Sequence, residues 1–229
     1  MKNLILIGGI FHDFHDSALA LADVLKPLGL ESRIENDIEA GLASLNQNPV
    51  ALLTINALCW EMIGDKYDSY RADWAMRLSP AGRAAIISHL HGGGALLGLH
   101  TASICFSDWH QWGDILGGSW QWGRSWHPPQ EFVTLTPSRH PLMEGIAVFD
   151  VFDELYSALV LRAGIETLLI GNSTGSDVSQ PVLWLNRFGN GRIVYDALGH
   201  DAAAVYQTDH AHALRRAVCW ALNLEDVNV

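Results

Sequence analysis

The chain has 229 residues, of which 49% are hydrophobic and 17% are charged, so it can bury a large core and is not expected to be disordered. Its formal net charge of −11 at pH 7 argues against nucleic acid and anionic membrane as partners, because nothing supplies a basic face. The sequence contains no apolar run of about 18 residues, so no membrane span is expected.

The first part of the chain predicts strands that alternate with helices. Helices are expected before Gly29, where apolar residues recur at helical spacing, and from the cap-and-proline pair Ser79-Pro80 to about His91. This rhythm implies right-handed crossovers and a parallel sheet. The first apolar run is too short for a signal peptide, which places the protein in the cytoplasm as an expectation. Strands are predicted at residues 4–7, 31–35, 50–55 and 95–99, of which the first and last are expected to be buried.

After Ser107 the sequence becomes rich in glycine and tryptophan, which predicts a short helix and then an irregular loop with packed indoles over residues 108–129. Two later strands form a hairpin, with Asn190-Gly191 as a candidate type I′ turn, and an apolar stripe from Leu214 to Ala221 predicts the last helix. No domain boundary is evident, so one domain over residues 1–229 is expected. Further strands are predicted at residues 131–136, 153–161, 167–170, 181–185 and 193–197.

The turn after the strand at residues 95–99 is the most informative position. Gly98-Leu99-His100 is typical of a buried strand that turns sharply into a helix. In open α/β sheets such a turn presents its central side chain at the carboxyl edge, where ligands bind. Because that side chain is a histidine, the simplest nucleophile is excluded, and proton transfer, metal binding or ligand binding are the candidate roles. The alternative is a histidine bonded to neighbouring backbone.

Two further histidines follow strands of the predicted sheet. His12-Asp13 comes after the first strand and His200 after the last hairpin strand, and loops after parallel strands converge at one edge. We therefore expect both histidines near His100, although each could instead cap a helix or a turn. His127 precedes two prolines that would fix its direction, unless this segment is a rigid loop that only packs.

Glu154 is the candidate carboxylate. Alternation along a strand at residues 153–161 puts Asp153 and Leu155 on one face and Glu154 and Tyr156 on the other. Glu154 could then orient a histidine or act as a base; the alternative is a solvated strand end. His15-Asp16 follows the first strand together with His12-Asp13. The six remaining histidines are interpreted as surface, capping or turn residues: His89, His91, His110, His140, His210 and His212.

The order and spacing of several short motifs resemble the ThuA-like family, which is associated with trehalose utilisation and sugar catabolism. Each motif is weak alone, but together they cover nearly the whole chain. They are Gly8-Gly9 with His12-Asp13-Phe14, residues 92–100, Trp109 before Leu116-Gly117-Gly118, His127-Pro128-Pro129 with Phe132, His140-Pro141 before Gly145, residues 153–156, residues 181–184, and residues 189–192 before Leu198-Gly199-His200.

The resemblance implies a flavodoxin-like fold, similar to class I glutamine amidotransferases: a three-layer α/β sandwich with a mostly parallel central sheet. It places His100 where those enzymes carry their nucleophilic cysteine. Cys105 lies five residues later, in the expected helix, so amidotransferase chemistry is not implied. Many relatives have a small residue before the His-Pro motif, whereas this chain has Ser125-Trp126, which bears on pocket size and substrate.

Three functions are compatible with these residues. The first is an enzyme acting on a sugar or keto-sugar by acid/base catalysis, because neutral imidazole suits proton abstraction beside a carbonyl. The second is a non-catalytic carbohydrate-binding or partner-docking protein with a vestigial amidotransferase-like pocket. The third, ranked last, is a hydrolase using Cys105 or Ser103. For the enzyme, the predicted catalytic residues are His100, His127 and Glu154, and the predicted substrate-binding residues are His12, Asp13, Trp126 and His200.

The sequence establishes no cofactor. A divalent metal is an alternative ranked below metal-free catalysis, because the ligands show no short metal-binding spacing. The expected partner is a small-molecule carbohydrate, on which clustered tryptophans could stack, and a homodimer is a further hypothesis from edge strands and aromatics. The candidate metal ligands are His12, His100, His127, Glu154 and His200.

Overall fold

A nine-stranded sheet forms the centre of the protein in a computed structural model that describes residues 1–224. Two additional short strands pair with each other outside this sheet. The strands of the described chain are β1 (Lys2–Gly8), β2 (Glu31–Glu35), β3 (Leu52–Ala57), β4 (Ala95–Leu99), β5 (Gly118–Ser119), β6 (Glu131–Pro137), β7 (Phe149–Asp153), β8 (Val160–Leu161), β9 (Glu166–Ser173), β10 (Ser176–Phe188) and β11 (Gly191–Asp196).

The large sheet has a parallel part and an antiparallel part. Its strand order is β2-β1-β3-β4-β11-β10-β9-β6-β7. Pairing is parallel from β2 to β11 and antiparallel from β11 to β7. Strands β3 and β4 are buried along their whole length, as expected for central strands covered on both faces. The predicted α/β sandwich is confirmed.

The helices begin and end where the sequence supplies caps. The carboxylate of Asp13 accepts a hydrogen bond from the backbone at the start of α1, and Ser79 does the same for α4. Gly29 adopts φ +73° after the short 3-10 turn that follows α1. The helices of the described chain are α1 (Phe14–Leu25), α2 (Ile38–Ser44), α3 (Asp68–Trp74), α4 (Pro80–His91), α5 (Gln111–Leu116), α6 (Ala202–Tyr206) and α7 (Thr208–Ala221).

Helices cover the parallel part of the sheet on both faces. Helices α1, α6 and α7 contact one another, and α2 contacts α4. Since right-handed crossovers from β1 to β2 and from β2 to β3 move in opposite directions along the sheet, α1 and α2 lie on opposite faces. Within the described residues, no helix is long and apolar enough to cross a membrane.

Three local predictions were wrong. The strand predicted at residues 153–161 ends at Asp153, and a separate two-residue strand follows Ala158, which has φ +56°. The hairpin turn is one residue earlier than predicted: Phe188 pairs with Gly191, and Gly189 has the positive φ. The helix expected after His100 is a 3-10 turn that ends at Ser103, so Cys105 lies beyond it.

Candidate functional site

Segments that follow four strands bring polar side chains to one edge of the sheet. His12, His100 and His200 follow the parallel strands β1, β4 and β11. Glu154 follows β7, which has the same direction because four antiparallel pairings separate it from β11. One ligand atom from each of the four side chains lies within 4.8 Å of all the others. We call these four residues the His–Glu cluster.

His100 is held in a strained turn directly at the end of β4. Its φ is +47°, a conformation that costs energy for a residue with a side chain. The Tyr195 hydroxyl donates to the His100 carbonyl oxygen at 2.7 Å. Gly98 allows the close packing, because a Cβ there would lie 2.8 Å from Leu116 Cδ2. The Nδ1 atom of His100 lies 2.8 Å from the Ala197 carbonyl oxygen, which can only accept, so Nδ1 carries the hydrogen and Nε2 faces the cluster.

Glu154 lies at the centre of three imidazoles. Its Oε2 atom is 3.4 Å from His100 Nε2, 3.3 Å from His200 Nδ1 and 3.4 Å from His127 Nδ1. The first two nitrogens are buried and make no hydrogen bond of good geometry, so their contact with the carboxylate is chiefly electrostatic. Burial raises the pKa of Glu154, but the contacts with His100 and His200 outweigh it, and the net pKa lies well below its ordinary value. Glu154 is therefore ionised at neutral pH.

His12 completes the cluster from the loop after β1. Its ring centre lies 4.5 Å from that of His200 and 5.1 Å from that of His100, and neither of its ring nitrogens makes a hydrogen bond of good geometry. Burial, reinforced by repulsion from the two other imidazoles, lowers the pKa of His12 to about 3, so the ring is neutral. For His200 the contact with Glu154 outweighs burial, and the pKa of His200 is raised.

Asp153 joins the two loops that carry Glu154 and His200. It is fully buried and accepts backbone hydrogen bonds from Glu154 at 2.7 Å, from Gly199 at 2.6 Å and from His200 at 3.4 Å. Burial raises the pKa of Asp153, while neighbouring His100 and these backbone donors act in the opposite direction. The carboxylate thus fixes the separation between a residue from the antiparallel part of the sheet and one from the parallel part.

Aromatic rings surround the fourth imidazole, His127. The Tyr156 ring stacks on it with centres 5.4 Å apart and also contacts His100 at 4.5 Å, and Trp120 lies 6.0 Å from His127. Nδ1 of His127 lies 2.9 Å from the Pro128 carbonyl oxygen, so this nitrogen carries the hydrogen. Nε2 makes no hydrogen bond within the described chain, and 36% of the side chain is exposed. His127 is therefore the imidazole most accessible to a ligand.

Comparison with known proteins identifies the family. The family model described as ThuA, trehalose utilisation, matches residues 10–221. The chain belongs to the ThuA family. Membership links it to sugar utilisation, as its motifs predicted. Comparison with curated proteins found no match.

Solved structures support the fold of this ThuA chain. A ThuA-like protein from Parabacteroides merdae ATCC 43184 is 20% identical, with a TM-score of 0.74 over 99% of this chain and 92% of that chain. A ThuA-like protein from Bacteroides uniformis ATCC 8492 is 18% identical, with a TM-score of 0.71 over 96% of this chain and 91% of that chain. A protein from Salmonella typhimurium LT2, described as cytoplasmic, is 11% identical, with a TM-score of 0.63 over 96% of this chain and 99% of that chain.

The structure of the ThuA chain brings together five of the residues selected from sequence: His12, His100, His127, Glu154 and His200. The other two have different surroundings. Asp13 is exposed, and its carboxylate caps α1 by accepting from the Asp16 backbone. Trp126 is 44% exposed and pairs through its backbone with Ser157.

Sequence reasoning missed the roles of Asp153, Tyr156 and Trp120. Asp153 was assigned to a strand face, although an acidic pair at a strand end could have indicated a carboxylate that binds loop backbone. Tyr156 and Trp120 were treated as ordinary aromatic residues, and nothing in their spacing indicates contact with His127. His210, interpreted as a surface or capping residue, is fully buried and contacts Asp196.

The nucleophiles of the hydrolase hypothesis lie away from solvent in this ThuA chain. Ser103 is 3% exposed, and its hydroxyl lies 2.8 Å from the Tyr195 hydroxyl. Cys105 is 1% exposed, donates to the Ala57 carbonyl oxygen at 2.9 Å, and has a pKa raised by burial. A buried, protonated thiol is a poor nucleophile.

Proposed function

We propose that the protein is a sugar-utilisation enzyme that moves a proton on a sugar or keto-sugar, with His127 as the acid/base group. The observation that carries this proposal is the convergence of three imidazoles on the Glu154 carboxylate at 3.3–3.4 Å. We also propose that the partner is a small-molecule carbohydrate and that the protein binds neither nucleic acid nor membrane. We propose a cytoplasmic location, such as that given for the Salmonella protein, and a homodimer.

His127 has the features of a general base. Its Nδ1 hydrogen is directed to Pro128 and lies near Glu154, so the ring is oriented and an imidazolium would be stabilised by the carboxylate. The Nε2 lone pair is left for the substrate. This is the orienting arrangement of a catalytic dyad, in which one group takes the proton and another fixes its direction.

The reaction step follows from these positions. Nε2 of His127 takes the proton from the carbon beside the substrate carbonyl. The electron pair of that C–H bond forms a C=C bond, and the π pair of the C=O bond moves to the carbonyl oxygen. Return of the proton to the same carbon regenerates His127 and yields an exchanged sugar. Return to the former carbonyl carbon yields an isomerised sugar when a proton also passes from the neighbouring hydroxyl to the enolate oxygen.

A cavity lined by His12, but not by His127 or the other members of the cluster, suits a part of the carbohydrate away from the reacting carbon. Its volume of about 750 Å³ is within the usual range for small-molecule sites, and the cavity reaches His12. Its wall includes Trp74, which is 43% exposed, together with Asp37 and Asp73. An indole face can cover the apolar face of a sugar ring while carboxylates accept from its hydroxyls. Trp126 and Asp13 are further candidates for substrate contact.

The test is isotope exchange at the carbon beside the carbonyl. Wild-type protein is incubated in D₂O with a panel of keto-hexoses and keto-disaccharides, and deuterium uptake is followed by NMR. We expect His127→Gln to slow exchange by about 10²–10⁴-fold, the usual contribution of a positioned acid/base group. His140→Gln is the matched control, because His140 also precedes proline and lies 3.3 Å from a glutamate, Glu166.

Each outcome is decisive. Exchange that is lost in His127→Gln and kept in His140→Gln supports the proposal. Equal exchange in wild type and His127→Gln removes His127 from the reaction. Tight carbohydrate binding without exchange or turnover by wild type would instead favour the non-catalytic carbohydrate-binding function.

A further inference from the structure

We infer that the His–Glu cluster is a binding site for a divalent transition-metal ion, with His12, His100, His200 and Glu154 as its ligands. This inference deepens the proposed function by assigning a ligand to the same site, and the catalytic use of the metal rests on that function. Metal binding itself is measured without turnover.

The separations in the cluster match a coordination sphere. Metal–ligand bonds of about 2.0–2.1 Å in a tetrahedral site place neighbouring ligand atoms about 3.3 Å apart. Glu154 Oε2 lies 3.4 Å from His100 Nε2 and 3.3 Å from His200 Nδ1. All four ligand atoms, including one from His12, lie within 4.8 Å of one another, so modest side-chain movement would close the sphere.

The nitrogens of the cluster have no better partner in the described chain. His100 Nε2, His200 Nδ1 and both ring nitrogens of His12 are buried and make no hydrogen bond of good geometry; His12 contacts the Ile10 backbone, and the other two contact Glu154. Burial of a polar atom without a partner is unfavourable, so such atoms are rare unless a ligand or ordered water completes them. One nitrogen from each of the three histidines lies within 4.8 Å of a Glu154 carboxylate oxygen, which is the arrangement expected around a shared cation.

The groups behind the ligands also fit a metal site. Metal-bound histidines usually donate their second ring N–H to a carbonyl or carboxylate, which fixes the tautomer. His100 does this through Nδ1 and the Ala197 carbonyl oxygen. Asp153 similarly fixes the backbone of Glu154 and His200. Glu154 and His200, two of the four proposed ligands, are therefore held by the same buried carboxylate of Asp153.

The donor set selects the class of metal. Imidazole nitrogen suits first-row ions such as Zn²⁺ and Co²⁺, whereas Mg²⁺, Ca²⁺ and Mn²⁺ prefer sites made of oxygen. His127 is not part of the set, since its Nδ1 hydrogen is directed to Pro128. A metal held beside His127 would polarise the substrate carbonyl oxygen while His127 takes the neighbouring proton.

The experiment uses the full chain after treatment with a chelator. Zn²⁺ binding is measured by calorimetry, and Co²⁺ binding by its absorption spectrum, for wild type, His12→Ala, Glu154→Gln and His127→Gln. His12→Ala is the central variant, because neither ring nitrogen of His12 makes a hydrogen bond of good geometry whose loss would disturb the fold. His127→Gln is the matched control: His127 contacts Glu154 but lies outside the ligand set. Thermal unfolding without metal confirms that each variant is folded.

We expect one ion per chain and a weakening of at least about 100-fold in His12→Ala and Glu154→Gln, since even residues behind the ligands contribute about 10–100-fold. His127→Gln should bind as wild type does. Wild type that binds no better than His12→Ala overturns the inference, as does unchanged affinity in both ligand variants. Metal binding without proton exchange would refute only the proposed function, whereas full exchange by a chain that binds no metal would refute only this inference.

Discussion

The buried pair His210–Asp196 predicts a loss of stability at alkaline pH. Both side chains are fully buried. The Nε2 atom of His210 lies 2.7 Å from Asp196 Oδ2, and Nδ1 lies 2.7 Å from the Ala204 carbonyl oxygen. Because a carbonyl and a carboxylate both accept, the ring donates from both nitrogens and is an imidazolium. The folded chain therefore holds a proton that the unfolded chain releases near pH 6.5.

The magnitude follows from the pKa of His210. Burial lowers this pKa, but attraction to Asp196 outweighs burial and raises it from 6.5 to about 9. Each pKa unit corresponds to about 1.4 kcal/mol, so the shift amounts to about 3 kcal/mol of folding free energy. Because the folded-state pKa is the higher one, this stabilisation is fully present below pH 6.5 and is lost as the pH rises through about 9.

The assay is urea unfolding of wild type and His210→Gln at about pH 6 and about pH 9.5, on either side of the two pKa values. We expect the unfolding free energy of wild type to fall by about 3 kcal/mol more than that of His210→Gln over this interval. His212→Gln is the control on the same helix. The pKa of His212 is lowered by burial and by the neighbouring arginines, so its contribution has the opposite sign and the alkaline loss should persist.

Parallel pH profiles for wild type and His210→Gln would refute this reasoning, because the pair would then bind no extra proton in the folded state. If the alkaline loss of stability disappears in His212→Gln and persists in His210→Gln, the extra proton is on His212 and not on His210. Either result would also show that the two short contacts of His210 do not require an imidazolium.

Three other predictions concern the site and its supports. Asp153→Asn should lower the unfolding free energy by about 1–3 kcal/mol and slow turnover, because an amide cannot accept from all three backbone donors; wild-type stability would contradict this. Gly9→Ala should cost about 1–3 kcal/mol, since φ is +109° and a Cβ would lie within contact of the Leu58 carbonyl, and a cost no greater than that of Gly164→Ala, which has open space, would exclude the clash. A thiol reagent should label the folded chain much more slowly than the urea-unfolded chain, because the cysteines are buried and the pKa of Cys59 is raised to about 12; equal rates would overturn the assigned burial.

Local sequence patterns predicted the parallel part of the sheet well. Aliphatic runs such as residues 4–7 and 95–99 are buried strands because a strand covered on both faces needs apolar side chains at every position. The same patterns failed at Glu154. Alternation cannot show where β7 ends, since that end depends on Asp153 binding the backbone of residues 199 and 200.

Local sequence patterns likewise predicted the positions of some histidines and not of others. His12, His100 and His200 could be predicted at one edge because the carboxyl ends of parallel strands converge there. His210 lies in a correctly predicted helix, yet its burial against Asp196 was not predicted, because a helical pattern does not reveal which distant carboxylate faces it.

The sequence by itself determined the family, the order of strands and helices in the parallel part of the sheet, and the set of histidines near the carboxyl edge. These depend on local patterns of apolar, glycine and capping residues. Only the tertiary structure decided that Glu154 lies at the centre of three imidazoles and that neither ring nitrogen of His12 makes a hydrogen bond of good geometry. Those properties are distances and burial, which arise when segments far apart in the chain pack together, and no local pattern encodes them.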